Sequence, residues 1–178
     1  MVLWQSFDYP TNTLVPNMKV GLDRRTGLNR VLTSWKSKDD PGTGNWLYKI
    51  DSNGAPQFFL YKGKVPWGRN GHWSGDGWGG VQGLQRSTII NISFVDNENE
   101  ITAIYHVFDP TQLSAIVLNE SGLLDWLCIG RETVNGFCLN RLYLQTCVTH
   151  TKSVVLVGNA RSLVMGSSFG AKGLQTRK

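Results

Sequence analysis

A glycine-dense segment, residues 68–83, holds the residue types that most invite a chemical interpretation. Clustered backbone N–H groups in such a loop can cradle a phosphate, but a P-loop ends in Gly-Lys-Ser or Gly-Lys-Thr at the start of a helix. This segment ends in Val81-Gln82-Gly83, and no βαβ pattern of a dinucleotide-binding fold accompanies it. Glycines beside Trp73 and Trp78 are more typical of bends where the backbone packs against indole rings. The segment therefore predicts close packing around its tryptophans rather than a phosphate site.

Two acidic segments have side chains that could hold a cation. Residues 51–54 begin like a calcium loop, but they lack the third oxygen ligand before the glycine and the glutamate five residues beyond it. The alternating carboxylates of Asp96, Glu98 and Glu100 lie in a polar stretch between two strand-like segments. We therefore interpret residues 51–54 as a hairpin turn and the second group as a solvated hairpin loop.

The cysteines form no close pair. Cys128, Cys138 and Cys147 include no Cys-x-x-Cys spacing, and one thiol is left over if two of them form a disulfide. A zinc site made of these three residues and His150 would have wider ligand spacing than zinc sites usually show. We predict neither a metal site nor a cofactor.

Catalytic motifs are equally scarce. The three histidines share no motif, and the sequence has neither His-Glu-x-x-His nor a kinase signature. A hydrolase whose residues meet only in space is left without positive support. We expect a protein that is not an enzyme.

The net charge of +5 is unevenly distributed. Residues 1–132 hold 12 basic and 13 acidic side chains, whereas residues 133–178 hold six basic side chains and no acidic one. These six are spread among Ser, Thr, Gly and Leu, while a nucleic-acid-binding face typically gathers its cations in a stripe with interleaved aromatic residues. We predict no nucleic-acid partner.

Alternation of apolar and polar residues predicts β-strands through the middle of the chain. Three pairs of segments fit antiparallel hairpins: residues 45–50 with 57–62, 88–95 with 101–108, and 113–118 with 123–126. In the first segment Trp46, Tyr48 and Ile50 fall on one face at period two. The proline of residues 65–67 favours a sheet edge. Because no stretch has a helical period, we predict an all-β protein.

Length and composition favour a folded chain without a membrane span. The 178 residues, 40% of them hydrophobic, are enough to bury one core, or one core and part of a second. Residues 1–5 have neither the basic nor the apolar region of a signal peptide, and no apolar run approaches the length of a membrane span.

Two sequons, Asn91-Ile92-Ser93 and Asn119-Glu120-Ser121, satisfy the N-glycosylation pattern. Each lies in or near a predicted strand end, where a glycan could face solvent. We predict Asn91 and Asn119 as glycosylation sites.

The most informative pattern lies near the N-terminus, in residues 3–16 and 32–41. These residues read Leu3-Trp4-Gln5-Ser6-Phe7-Asp8-Tyr9-Pro10-Thr11-Asn12-Thr13-Leu14-Val15-Pro16 and Leu32-Thr33-Ser34-Trp35-Lys36-Ser37-Lys38-Asp39-Asp40-Pro41. They resemble the junction between the bulb-type lectin domain and the S-locus glycoprotein domain of plant S-domain, or G-type lectin, receptor-like Ser/Thr kinases. Further similar segments are residues 23–30, 59–63, 93–98 and 118–122. The resemblance covers residues 2–126.

The resemblance implies three parts in this chain. Residues 1–16 would be the C-terminal remnant of a bulb-type lectin domain, and residues 17–126 an S-locus glycoprotein domain, itself lectin-like. Residues 127–178 form an atypical basic tail whose composition fits a shifted reading frame or an alternative exon. The implied fold is an antiparallel β-barrel or β-prism-type domain built from hairpins, and we expect the tail to be irregular.

The implied function is that of a non-catalytic extracellular recognition module. The family is linked to recognition of pollen and to defence, through a peptide or receptor-ectodomain partner at the plasma-membrane surface, and its signal peptide would lie upstream of Met1. The family's kinase domain is absent from this sequence, as is the Gln-x-Asp-x-Asn-x-Val-x-Tyr mannose pocket of bulb lectins, so carbohydrate binding is not carried over. The alternative is a truncated product of a receptor-kinase gene without independent function.

Two exposed loops are the candidate ligand-binding surfaces. Residues 71–83 offer Trp73 and Trp78, and residues 96–100 offer Asp96 and Glu98. The competing interpretation is that the tryptophans belong to the core.

Overall fold

The computed structural model describes residues 4–80, 89–129, 138–142 and 145–146. Within these residues the chain is built of β-strands, and its one helical element is a single 3-10 turn at Ser6–Asp8. The all-β prediction is confirmed. In chain order the strands are β1 (Thr13–Leu14), β2 (Lys19–Asp23), β3 (Asn29–Arg30), β4 (Leu32–Ser37), β5 (Asp40–Asp51), β6 (Gln57–Lys62), β7 (Val65–Arg69), β8 (Ile90–Asp96), β9 (Glu100–Val107), β10 (Leu113–Leu118), β11 (Leu124–Ile129), β12 (Cys138–Leu142) and β13 (Gln145–Thr146).

The strands form three antiparallel sheets. Their orders are β1-β10-β11-β12, β13-β7-β6-β5-β4 and β3-β2-β9-β8. In the described residues each sheet is open, so the architecture is consistent with a lectin-like β domain and is not a closed barrel. All three sheets contribute to one core, whose least exposed side chains include Val20, Leu32, Ile101, Leu118 and Leu124.

The predicted hairpins are present because their alternation places large apolar side chains on one face. In β5, Trp46, Tyr48 and Ile50 are 8%, 8% and 7% exposed. Tyr48 stacks on Phe58 of β6 with ring centroids 4.7 Å apart. The pairs β5–β6, β8–β9 and β10–β11 therefore confirm the three hairpins, although Thr88 lies outside the described residues.

The N-terminal segment is joined to this core. Strand β1 pairs with β10, and Leu14 is buried. The backbone N–H of Leu118 donates to the Asn12 carbonyl at 2.8 Å, and that of Thr33 donates to the Thr11 carbonyl at 2.8 Å. The domain division after Pro16 stays a prediction, but residues on both sides of it share one core in this chain.

The beginning of the tail differs from the irregular structure predicted for residues 127–178. Strand β11 runs through Ile129, β12 pairs along it with Cys138 directly opposite Cys128, and β13 pairs with β7. The physical reason is that β11 has a free edge after pairing with β10, and β12 satisfies the hydrogen-bonding groups of that edge. Cys128 is disulfide-bonded, so it cannot supply the thiolate of the weighed zinc site. Residues 130–137, 143–144 and 147–178, including Cys147 and His150, lie outside the described residues.

Candidate functional site

The first predicted loop, residues 71–83, packs its tryptophans against the core instead of exposing them to solvent. Trp78 is 2% exposed, and its ring makes edge contacts with Phe58 at 5.2 Å and Phe94 at 5.0 Å. Trp73 is half-buried, with its ring 5.1 Å from that of Trp78 and 5.5 Å from that of Phe94. The prediction of exposed anchors is wrong for Trp78, because burying an indole ring between strands removes more apolar surface from water than a loop position could. Residues 81–83 of this loop lie outside the described part.

The second predicted loop, residues 96–100, is a turn that ion pairs and hydrogen bonds hold against neighbouring residues. The Asp96 carboxylate accepts from Arg24 Nη2 at 3.0 Å, and the Asn99 carbonyl accepts from the Arg24 backbone N–H at 2.8 Å. Glu100 pairs with Lys19 at 2.7 Å, and this hydrogen bond lowers the pKa of the Glu100 carboxyl below its ordinary value. Glu98 is exposed and belongs to no ion pair within the described ranges. Of the two acidic candidates, Glu98 is therefore the one whose carboxylate is open to a ligand.

The structure brings together three polar residues that the sequence analysis did not connect. His106 Nδ1 lies 2.7 Å from Asn17 Oδ1, and His106 Nε2 lies 3.2 Å from Ser93 Oγ. With the Asn17 oxygen as acceptor, the ring carries its proton on Nδ1 and Nε2 accepts from the Ser93 hydroxyl. This is the hydrogen-bonding order of a nucleophile, a base and an orienting residue. Sequence spacing could not reveal it, because the three residues lie on different segments.

The trio lies apart from the described cavity. The described cavity, about 60 Å³, is lined by core side chains such as Ile92 and Tyr105, and neither Ser93 nor His106 lines it. We therefore assign the trio a structural role: it ties the bend at Asn17, whose φ is 69°, to the β8–β9 hairpin.

The cavity is lined mainly by apolar side chains, among them Leu14, Val20 and Phe58. Asn70 also lines the cavity: it is 3% exposed, its Nδ2 donates to Tyr48 Oη at 2.7 Å, and its Oδ1 has no hydrogen-bond partner among the described residues. Burial raises the pKa of the Tyr48 hydroxyl.

The sequons differ in how much of the asparagine amide is available. Asn91 is exposed on β8, opposite His106. Asn119 Nδ2, the atom that would carry a glycan, donates to Asp125 Oδ2 at 2.8 Å. Its Oδ1 accepts from the backbone N–H groups of Ser121 and Leu123, both at 3.0 Å. Asn119 thus organises the β10–β11 turn, and a glycan there would have to be accommodated beside Asp125.

We expect a secreted form of the chain to carry a glycan on most copies at Asn91 and on a minority at Asn119. The reason is that the β10–β11 turn engages the Asn119 amide as soon as this local hairpin forms. Glycopeptide mass spectrometry of the chain, expressed behind a secretion signal, measures both occupancies. An Asp125→Ala variant should raise occupancy at Asn119 and leave Asn91 unchanged, whereas equal occupancy at both sites in the parent chain would contradict the prediction.

A surface that the sequence analysis noted only as a sheet edge combines aromatic and basic side chains. We define the β7 surface as Lys62, Lys64, Val65 and Trp67, all of which are exposed. The Trp67 ring meets that of Trp46 edge-on at 5.7 Å, and Lys62 Nζ lies 5.3 Å from the Trp46 ring and 5.6 Å from the Trp67 ring. In the described residues, the outer side of β7 is paired by β13 only at Gly68 and Arg69. The proline signal found the edge, but the convergence of the rings with Lys62 depends on a three-dimensional contact.

The described part of the chain offers neither a metal centre nor a membrane-spanning helix. No group of three or more His, Cys, Asp or Glu side chains is arranged there to bind a metal ion. Likewise, that part contains no helix with the length and apolar character needed to cross a bilayer.

Comparisons with known proteins find that the amino-acid sequence is similar to lectins and to plant receptor-like kinases. The D-mannose binding lectin family model matches residues 1–36. A G-type lectin S-receptor-like serine/threonine-protein kinase of Arabidopsis thaliana is 47% identical over 121 residues, which are 68% of this chain and 14% of that protein. An S-locus-specific glycoprotein of Brassica oleracea is 41% identical over 120 residues, 67% of this chain and 28% of that protein. A receptor-like serine/threonine-protein kinase of Arabidopsis thaliana is 39% identical over 123 residues, 69% and 14% of the two chains.

Proposed function

Because this chain is a relative of the G-type lectin S-receptor-like kinases and the S-locus-specific glycoproteins, we propose that it is an extracellular recognition module for a protein or peptide ligand. Its matches span about one seventh of the receptor kinases and just over a quarter of the glycoprotein. The kinase activity in the relatives' names is therefore not assigned to this chain. Recognition is what a receptor and a glycoprotein of this lineage have in common.

The observation that carries the proposal is the combination of this kinship with a rigid β scaffold that holds surface loops. Three sheets around one core fix the positions of the connections between strands, and binding residues in proteins are commonly found on loops held in this way. Because the candidate loops lie on the surface, the ligand class is one that binds a surface: a secreted peptide or a receptor ectodomain. The lineage favours partners encountered at the cell surface, including those of pollen recognition and defence.

A binding screen with loop variants tests this proposal. The chain, secreted and purified, is presented to an array of plant receptor ectodomains and secreted cysteine-rich peptides. We expect at least one array member to bind, and binding to fall when exposed loop residues are changed in His72→Ala with Asp76→Ala, or in Glu98→Lys. Trp78 is left intact because its removal would open the core.

The control is Lys38→Ala, an exposed change in the β4–β5 turn, which should leave binding unchanged. A folded chain that binds no member of the array would contradict the recognition function. Binding that survives all the loop changes would remove these two loops as its site while keeping the function.

A further inference from the structure

The β7 surface has the composition of a docking site for an acidic partner segment. We propose that it binds an acidic stretch of a protein or peptide that also carries an aromatic or aliphatic side chain, an inference that rests on the proposed recognition function. The apolar part of the surface is Val65, 60% exposed, and Trp67, 50% exposed. The basic part is Lys62, whose Cα pairs with that of Val65 in the β6–β7 register, and Lys64 in the turn between the two strands.

The charge of this surface is uncompensated in the described part of the chain. The ion pairs found there use other cations, namely Lys19, Arg24, Arg25, Arg30 and Lys36. Lys62 and Lys64 belong to none of them. Two exposed ammonium groups beside an apolar strip give the surface a positive electrostatic potential. It therefore attracts carboxylates and repels basic partners.

The aromatic part is held rigidly before any partner arrives. Trp46 is 8% exposed and lies so close to Gly122 that a Cβ at that glycine would approach ring atoms of Trp46 to 2.3 Å. Trp67 meets the edge of this fixed ring, and the Lys62 ammonium lies over both rings. A partner therefore meets an indole that has already lost much of its rotamer freedom, which lowers the entropy cost of binding.

An acidic peptide suits this surface better than a nucleic acid does. Within the described residues the basic side chains of the β7 surface are Lys62 and Lys64, two cations beside Val65 and Trp67 rather than an extended basic track. A nucleic acid makes many phosphate contacts along such a track. Two lysines flanking Val65 and Trp67 match a short segment in which carboxylates neighbour one apolar side chain.

A random eight-residue peptide library displayed on phage, selected on the folded chain, is the test. We expect the selected peptides to hold more Asp and Glu than Lys and Arg, together with an aromatic or aliphatic residue. A synthetic peptide of the selected sequence should bind at least about tenfold more weakly to Trp67→Ala, as removal of an aromatic anchor does. It should also weaken with Lys64→Glu, a fully surface change that keeps the ring contacts, and with rising salt.

Matched control variants distinguish specific binding at this surface from nonspecific binding elsewhere on the protein. Phe108→Ala removes an aromatic ring that is 62% exposed elsewhere, and Lys38→Glu reverses an exposed lysine elsewhere; both should leave binding of the peptide unchanged. A circular-dichroism melt confirms that each variant is folded. Selected peptides without an acidic excess, or undiminished binding to Lys64→Glu, would overturn the inference. So would a 20-nucleotide single-stranded DNA probe that binds through the same residues more tightly than the peptide does.

The outcome also separates this inference from the proposed function. If the array partner of the wild-type chain still binds the Trp67→Ala and Lys64→Glu variants, recognition proceeds elsewhere and only the β7 surface is refuted. If the folded wild-type chain binds no array member at all, the recognition function itself fails.

Discussion

Gly21→Ala is expected to lower the free energy of unfolding by about 4 kcal/mol, the sum of backbone strain and a steric clash. Gly21 lies in β2 with φ at +129°, a conformation that residues with a side chain rarely adopt. A Cβ built there would stand 2.1 Å from the Ile101 carbonyl oxygen and 2.9 Å from Thr102 Cα. Both are backbone atoms of the paired strand β9, so the sheet must open for the methyl group to fit. Urea denaturation, followed by tryptophan fluorescence, measures the loss.

A second glycine isolates the two causes in this prediction. Gly54 has φ at +84°, and a Cβ there would meet nothing within 4 Å. Gly54→Ala therefore reports strain alone and should cost only about 1 kcal/mol. Equal losses for the two variants would mean that the clash with β9 contributes nothing, which would contradict the close approach of β2 to β9.

The local parts of this fold could be predicted from the sequence, and its long-range parts could not. Alternation over residues 45–50 is a short-range signal, and it correctly placed Trp46, Tyr48 and Ile50 on the core face. The pairing of β1 with β10 joins residues about a hundred positions apart, and no pattern within either strand specifies the other as its partner. The packing of Leu14 and Val15 in the core therefore appeared only in three dimensions.

For the candidate surfaces, too, the sequence predicts local features but not those that depend on long-range packing. Trp78 and Trp67 both follow glycine- or proline-containing turns, yet one is 2% and the other 50% exposed. The two rings differ in their neighbours: Trp78 packs between Phe94 of β8 and Phe58 of β6, whereas Trp67 contacts the Trp46 ring edge-on. Exposure of a tryptophan is thus decided by sheet packing, which composition near the residue does not encode.

The contact between Gly122 and Trp46 links the stability of the core to the β7 surface. Gly122 has φ at +80° in the β10–β11 turn, where the Asn119 carbonyl accepts from its backbone N–H at 3.0 Å. The turn therefore packs directly against the Trp46 ring, which in turn contacts Trp67 and Lys62. A substitution at this glycine, which is distant in sequence from β7, should therefore alter the positions of the side chains in the proposed docking surface.

Gly122→Ala is expected to lower the free energy of unfolding by about 3 kcal/mol, because strain at a positive φ adds to overpacking against a buried ring. A Cβ at this position would approach Cδ2 and Cε2 of Trp46 to 2.3 Å, and a buried indole cannot swing away as a flexible side chain would. We also expect changed tryptophan fluorescence, since the Trp46 ring must move relative to Trp67. Gly75→Ala is the matched control, with φ at +104° and no atom within 4 Å of an added Cβ.

A double-mutant cycle with Trp46→Leu identifies the source of the Gly122→Ala loss. Leucine removes the ring atoms that the alanine methyl group would meet, so the penalty of Gly122→Ala should shrink to the strain component of about 1 kcal/mol in that background. Denaturation of the four proteins of the cycle gives the coupling directly. If Gly122→Ala costs the same with Trp46 and with leucine, the loss arises from backbone strain alone. The turn would then not restrain the Trp46 ring. This result would contradict the inference that Trp67 packs against a rigidly held ring.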